Sequence, residues 1–320
     1  MGTAASTDQG FRWRLAGDGA GQPALFSDEE LFDRHVGRGE FRGLEFLHVN
    51  AKRLINPVPA RSRMGFRFTI NAYRGCSHSC EFCFARPTHE YLGLDIHDDF
   101  ERKIVVKVNA VERVRAELRS PKWGGALIAM GTNTDPYQRA EGKYHLTRGI
   151  VEALGEAANP FSILTKGTLI LRDVDVLTEA AARTDVRCAF SIATLDEEAW
   201  KATERGAPHP RRRVEAVRKL NAAGIPTGVL IAPIIPGWTD RPEQLTEVAA
   251  ACIDAGATSI TPLALHLRPG VKEHFLAFLD ARRPELAADL RARYGARSYL
   301  SGPEQQAVVG PVGDLGRHRR

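Results

Sequence analysis

The sequence predicts an α/β protein: a partial (βα)6 barrel of parallel strands with irregular N- and C-terminal extensions. Three observations predict it. Short apolar runs recur at 68–73, 126–131, 161–165, 187–193, 227–232 and 259–265, each bounded by polar or breaking residues. Between and after them lie helical patterns at 110–119, 147–158, 173–183, 213–223, 242–255 and 271–279. Strands followed each time by a helix imply a parallel sheet with right-handed crossovers. Helix stops fall where expected, at Asn159-Pro160, Gly224 and Gly256. Six such units fit a curved sheet or incomplete barrel better than a sandwich.

Outside the six units, 103–108 is a further strand candidate and 284–294 a further helix. Residues 1–65 read as an irregular N-terminal extension that wraps or caps: Gly-rich, then acidic at Ser27-Asp28-Glu29-Glu30, then punctuated at Asn56-Pro57-Val58-Pro59. Residues 66–280 form the core domain, and 281–320 a C-terminal helical extension with a basic tail. No sequence repeat or low-complexity tract stands out.

The apolar and charged fractions, 43% and 26%, are those of an ordinary globular protein with a sizeable core. No apolar run is long enough to cross a bilayer, and the N-terminus lacks a signal-peptide apolar core. The expectation is a cytoplasmic protein without a membrane partner. The net charge of +5 draws on Arg211-Arg212-Arg213 and the terminal Gly316-Arg317-His318-Arg319-Arg320. Such a balance is compatible with nucleic acid, but no reading motif accompanies it.

Five cysteines, three of them within eight residues, do not resemble a disulfide framework. Cys76, Cys80 and Cys83 lie just after the first strand, at the sheet edge where βα loops build sites. Three thiolates at this spacing can wrap one soft metal centre. On a four-iron cubane they leave one iron open to a small chelating molecule, much as catalytic zinc keeps a position free. Zinc on the three cysteines plus His78 or His89 is the alternative, though no second cysteine pair exists to supply a second hairpin.

The triplet, with aromatic Phe82 between its last two cysteines, resembles the signature of the radical S-adenosylmethionine (SAM) superfamily. More narrowly, NAYRGCSHSCEFCFARPTH (71–89) and GTNTDPYQ (131–138) resemble a branch near the spore photoproduct lyases. The resemblance runs from about Phe66 to Leu279 in order of elements and does not cover the ends. It implies a 4Fe–4S cluster on the three cysteines, SAM on the open iron, and an electron donor of flavodoxin or ferredoxin type. Reductive cleavage of SAM would then start radical chemistry by hydrogen abstraction from a substrate that the sequence leaves unknown.

It also implies SAM contacts at later strand ends. Gly131, Thr132 and Thr134 end the second strand, where short polar side chains let a ligand approach closely; a plain turn is the alternative. Lys166 closes the third strand and is placed to meet the SAM carboxylate. In the fourth strand, alternation sets Cys188, Phe190 and Ile192 on one face and Ala189, Ser191 and Ala193 on the other. With the small face toward a lumen, Ser191 becomes a candidate for the ribose, with Thr194 beside it, and Cys188 points away. Cys252 reads as helix–sheet packing. Residues 231–237 resemble the adenine-facing segment of the superfamily. Glu204-Arg205-Gly206-Ala207-Pro208 resembles a motif of the branch for which the residues alone suggest no role. Tyr137, Gln138, His266 and Arg268 are substrate-facing candidates. The lyases carry a hydrogen-donating cysteine where this chain has Thr132, so their repair chemistry is not expected here.

Overall fold

The computed structural model describes residues 33–59, 62 and 64–313. The acidic run at 27–30 and the basic tail at 316–320 lie outside them. Six parallel strands form the main sheet: β4 (Phe68–Ile70), β7 (Ile128–Met130), β8 (Phe161–Thr165), β9 (Val186–Ser191), β10 (Thr227–Ile234) and β11 (Ile260–Ala264). Each falls within, or within two residues of, an apolar run named above. The strands pair in chain order, β4 beside β7 and β10 beside β11, with both outer edges left apart. The barrel is therefore partial.

Helices return the chain between strands: α2 (Ala110–Leu118), α4 (Leu146–Glu156), α5 (Val174–Ala181), α7 (Pro210–Ala222), α8 (Pro242–Asp254) and α9 (Val271–Asp280). Their starts follow local chemistry. Pro210 and Pro242 stand in the first turns of α7 and α8, where a missing N–H costs nothing. Asp196 caps α6 (Glu197–Thr203) by accepting from the Ala199 amide at 2.8 Å. Fully buried Phe161, Phe190, Leu220, Val229 and Phe275 belong to one core between sheet and helices; each such side chain contributes about 1.5–3 kcal/mol.

The ends are more ordered than expected. Residues 33–57, anticipated as irregular, contribute β1 (Asp33–Val36), β2 (Glu45–Val49) and β3 (Ile55–Pro57). β3 adds an antiparallel strand to the β4 edge. β1 and β2 join β6 (Lys103–Lys107) and β5 (Tyr73–Arg74) in a second sheet of order β1-β2-β6-β5. These strands are short and take their partners from distant segments, so local periodicity carries little signal for them. Towards the other end, α10 (Pro284–Tyr294) is followed by α11 (Gly302–Gly313), a helix in a stretch rich in Gly and Pro. The short helices α1 (Asp98–Arg102) and α3 (Glu141–Tyr144) were not anticipated either. Among the described residues no helix is long and apolar enough to cross a membrane.

One strand expected as continuous is divided. The run 68–73 leaves the main sheet after Ile70, and Tyr73–Arg74 pair antiparallel with β6. The cysteine triplet thus follows β5, not β4. Lys107 makes this switch: its amide donates to Ala72 O at 3.0 Å and its buried ammonium to Asn71 O at 2.7 Å. Burial, with Arg74 nearby, pulls the Lys107 pKa down from 10.5 to about 7. The unfolded chain keeps that proton to about pH 10.4. Between these values the unfolded state binds more protons, so stability rises with pH. Wild type should therefore gain about 2 kcal/mol relative to Lys107→Met between pH 7 and pH 9 in urea titrations. A pH-independent difference would contradict this burial.

Candidate functional site

The loop from Gly75 to Cys83 crosses the mouth of the barrel with few backbone partners of its own. Cys76 N donates to Phe100 O at 2.9 Å. Gln138, fully buried after β7, holds the loop at two points: its Nε2 donates to Gly75 O at 2.9 Å, and its Oε1 accepts from Ser77 N at 3.0 Å. Thr134 Oγ1 also donates to Gly75 O, at 2.6 Å, and accepts from Gln138 Nε2 at 2.8 Å. Arg86, itself fully buried, donates Nε to Cys80 O at 3.0 Å and pairs with Glu101.

The opposite wall is the segment whose role was unassigned in the sequence. Cys80 forms an antiparallel bridge with Glu204, and Glu81 N donates to Thr203 O at 2.9 Å. Gly206 N donates to His78 O at 3.1 Å. A Cβ on Gly206 would lie 2.2 Å from Ser77 O, so only glycine allows this approach. Arg205 reaches Glu81 at 3.2 Å and Glu101 at 2.7 Å. The signal in sequence was the tight run Glu-Arg-Gly-Ala-Pro, whose partners lie more than a hundred residues earlier.

Glu204 also organises the SAM candidates. Its carboxylate receives Lys166 Nζ at 2.6 Å and Arg213 Nη2 at 2.5 Å. Lys166 Nζ donates to Ser191 Oγ at 2.7 Å, and Ser191 Oγ donates to Ala232 O at 2.8 Å. Arg213, fully buried, donates to Pro208 O and Ser191 O. Burial opposes the Glu204 charge, but Arg213 and Lys166 override it and hold its pKa at about 2. The Lys166 ammonium lies 5.7 Å from the centre of the Phe82 ring. The structure thus joins Lys166, Ser191 and the cysteine loop in one network.

The other candidates have partners within the protein. Thr134 donates its O–H to Gly75 O, so a ligand contact there would use its oxygen as acceptor. Thr194 Oγ1 accepts from Asp196 N at 3.0 Å, forming the turn into α6. Gln138 supports the cysteine loop through Gly75 and Ser77. Tyr137 is buried at 1% exposure beside Cys188, Asp173 and Glu141, on the helix side of the sheet. Strand alternation extends only to β-residues, and the turn after β7 sent both side chains elsewhere.

Gly131 and Thr132 stay at the end of β7. Gly131 has φ +89°, and a Cβ there would meet Leu164 O at 1.9 Å. Thr132 Oγ1 is 3.4 Å from the Asn71 side chain. His266 stacks on exposed Tyr299, with ring centres 4.1 Å apart, and Arg268 donates to Phe84 O at 3.4 Å. Beyond the cysteines, Glu81 meets His274 at 2.9 Å and His274 meets His97 at 2.7 Å, a chain of polar groups running outward.

The donor set discriminates between metal centres. Four donors around one zinc, with Zn–S near 2.3 Å, bring sulfurs to about 3.8 Å of one another. The two histidines near the loop are engaged elsewhere. His89 turns Nε2 to Lys103 O at 3.0 Å, and His78 pairs with Asp135 at 3.3 Å. Three free cysteines on one loop suit a cluster whose irons each take one thiolate and that leaves one iron open. Burial pushes the Cys83 thiol up to about 11, so iron binding there must release protons.

Comparison with known proteins agrees. The radical SAM superfamily profile matches residues 70–249, more than half of the chain. The chain belongs to the radical SAM superfamily. A Mycobacterium tuberculosis protein described only as uncharacterised is 43% identical over 267 residues, covering 83% of this chain and 78% of that protein. A radical SAM Nalpha-GlyT isomerase of Pseudomonas phage M6 is 25% identical over 51% of this chain and 32% of its own. Among solved structures, spore photoproduct lyase complexed with dinucleoside spore photoproduct aligns with TM-score 0.60 and 18% identity, covering 85% of this chain and 79% of that one. A variant of that lyase with bound AdoMet aligns with TM-score 0.57 and 18% identity, over 80% and 75%. This likeness is one of fold. Radical SAM proteins are enzymes that use a 4Fe–4S cluster and SAM, supplied with electrons by a reductant.

Gly206→Val should force residues 77–78 away from the 203–208 wall. Alkylation of Cys76 and Cys80, followed by mass spectrometry in the metal-free protein, should then be faster than in wild type. Unchanged alkylation would show that this wall does not hold the loop.

Proposed function

We propose that Cys76, Cys80 and Cys83 hold the 4Fe–4S cluster, and that the protein reductively cleaves SAM to begin hydrogen abstraction from a substrate carbon. The observation that supports this best is the three-cysteine loop, tied through Cys80 and Glu204 to Lys166 and Ser191. When bound, the cluster supplies one electron to SAM and its open iron a chelation point. The protein's own residues bind and orient. Lys166 provides a fixed ammonium for a carboxylate, and Ser191, whose own O–H is held by Ala232 O, an oxygen that can accept from a ribose hydroxyl. Gly131 lets the end of β7 pack against Leu164 O, and beside it Thr132 provides a short side chain that a ligand can approach closely. Thr134, Gln138 and Thr194 act behind these residues, as supports. A flavodoxin- or ferredoxin-type protein is the proposed reductant, and a reducing cytoplasm the compatible compartment.

Anaerobic reconstitution should yield four irons and four sulfides per chain, and alanine at any of the three cysteines should abolish the reduced cluster's paramagnetic signal. Stoichiometric zinc without acid-labile sulfide would sink the reading. Lys166→Met should weaken SAM binding about ten- to a hundred-fold, as expected for a lost charge-assisted contact. Its iron content should stay near that of wild type.

Repair of thymine photoproducts by a thiol route is not supported. Thr132 offers a hydroxyl whose O–H bond is a poor hydrogen-atom donor. Cys188 is buried at the helix layer and Cys252 within α8, and burial raises both thiols to about 12. With SAM, reductant and a photoproduct dinucleoside, chromatography should show no restored thymine. Multiple-turnover repair that survives Cys188→Ala and Cys252→Ala would require another hydrogen donor and overturn this.

A further inference from the structure

The β1–β2 ribbon carries a group of side chains that the cysteine centre does not use. Asp33 lies directly opposite His48 in the antiparallel register, and His35 is two residues along β1 from Asp33. Residues two apart on a strand, and the residue opposite, share one face. One donor atom from each of Asp33, His35 and His48 comes within 4.8 Å of the other two; among the described residues no other trio of His, Cys, Asp and Glu does so. Asp33 Oδ2 lies 2.7 Å from His35 Nε2, and the two imidazoles stack with centres 4.0 Å apart.

We propose that Asp33, His35 and His48 bind a divalent transition-metal ion, distinct from the cysteine centre. Two imidazoles and one carboxylate form a donor set suited to zinc or iron(II), with further positions left to water. His48 has an outer partner of the kind that orients metal-binding histidines: its Nε2 lies 2.7 Å from the Tyr144 hydroxyl. With Nε2 so engaged, Nδ1 would be the ligating nitrogen, and Tyr144 also packs edge-on against the ring at 5.2 Å. The side chains of Asp33 and His35 are 73% and 41% exposed, so an ion can reach them from solvent. Lys143 is the neighbouring charge that opposes a cation; its ammonium lies over the Phe46 and Tyr144 rings, at 5.0 and 5.2 Å. Tyr144 ends α3, which begins three residues after Gln138. A bound ion would therefore fasten the ribbon against the helix leading away from the cysteine-loop support.

The test is a metal count on full-length, cluster-loaded protein dialysed against buffered zinc and desalted. Wild type should retain one zinc per chain in addition to its iron. Asp33→Asn and His48→Ala should each lose that zinc with iron unchanged, and Tyr144→Phe should bind it on the order of 10- to 100-fold more weakly. Asp33→Asn changes an exposed side chain at a strand end, so it decides the matter even if His48→Ala folds poorly. Absence of zinc from wild type, or zinc equally retained by Asp33→Asn and wild type, overturns the proposal. The result is independent of SAM chemistry, because the readout is zinc and not turnover.

Discussion

A loop that holds three cysteines at a barrel mouth cannot satisfy its own backbone, and the rest of the site is arranged to do so. Gly75 O, Ser77 N, His78 O and Glu81 N are paired with groups from distant segments, Thr134 and Gln138, Gln138, Gly206 and Thr203 respectively, and Cys80 O with the nearby Arg86. Each such group left unpaired in the interior would cost about 1–3 kcal/mol. The supports come from three directions, after β7, from the helical segment beyond Cys83 and from the end of α6. The loop's shape is therefore a property of the assembled barrel.

The same supports link metal geometry to ligand geometry. Glu204 bridges Cys80 through its backbone while its side chain holds Lys166 and Arg213. A buried carboxylate between two cations is costly to assemble and expensive to break by removing one partner. Its value here is placement: Lys166 is directed to Ser191 and lies over Phe82, inside the cysteine triplet. The candidate ligand-facing side chains and the cysteines are thus held by one set of bonds, which suits chemistry that needs a reacting carbon at a fixed position.

The strands of the barrel were readable because each is a local apolar run closed by a breaker, and all six recur in the sheet. Strand alternation also separated Ser191 from Cys188 correctly: the hydroxyl joins Lys166, and the thiol lies in the helix layer beside Tyr137. The turn after β7 was less readable. Thr134, Tyr137 and Gln138 follow each other within five residues, yet one clamps Gly75, one enters the helix layer and one spans the cysteine loop. No periodicity governs side-chain direction in an irregular turn. Strands β1–β3 were hidden for a related reason, since pairing between short segments far apart in the chain leaves no local pattern.

The sequence by itself determined the order of strand–helix units, the cysteine triplet and its family, and the short polar or cationic residues at strand ends. These depend on local composition, on spacing and on alternation along one strand. The tertiary structure alone decided that 203–208 is the second wall of the cysteine loop. It also decided that Lys166 and Ser191 share a hydrogen bond under Glu204, and that Asp33, His35 and His48 meet on one ribbon. Those outcomes depend on which backbone groups lack partners once the chain is packed, and on cross-strand register. Neither quantity exists until segments distant in sequence are brought together.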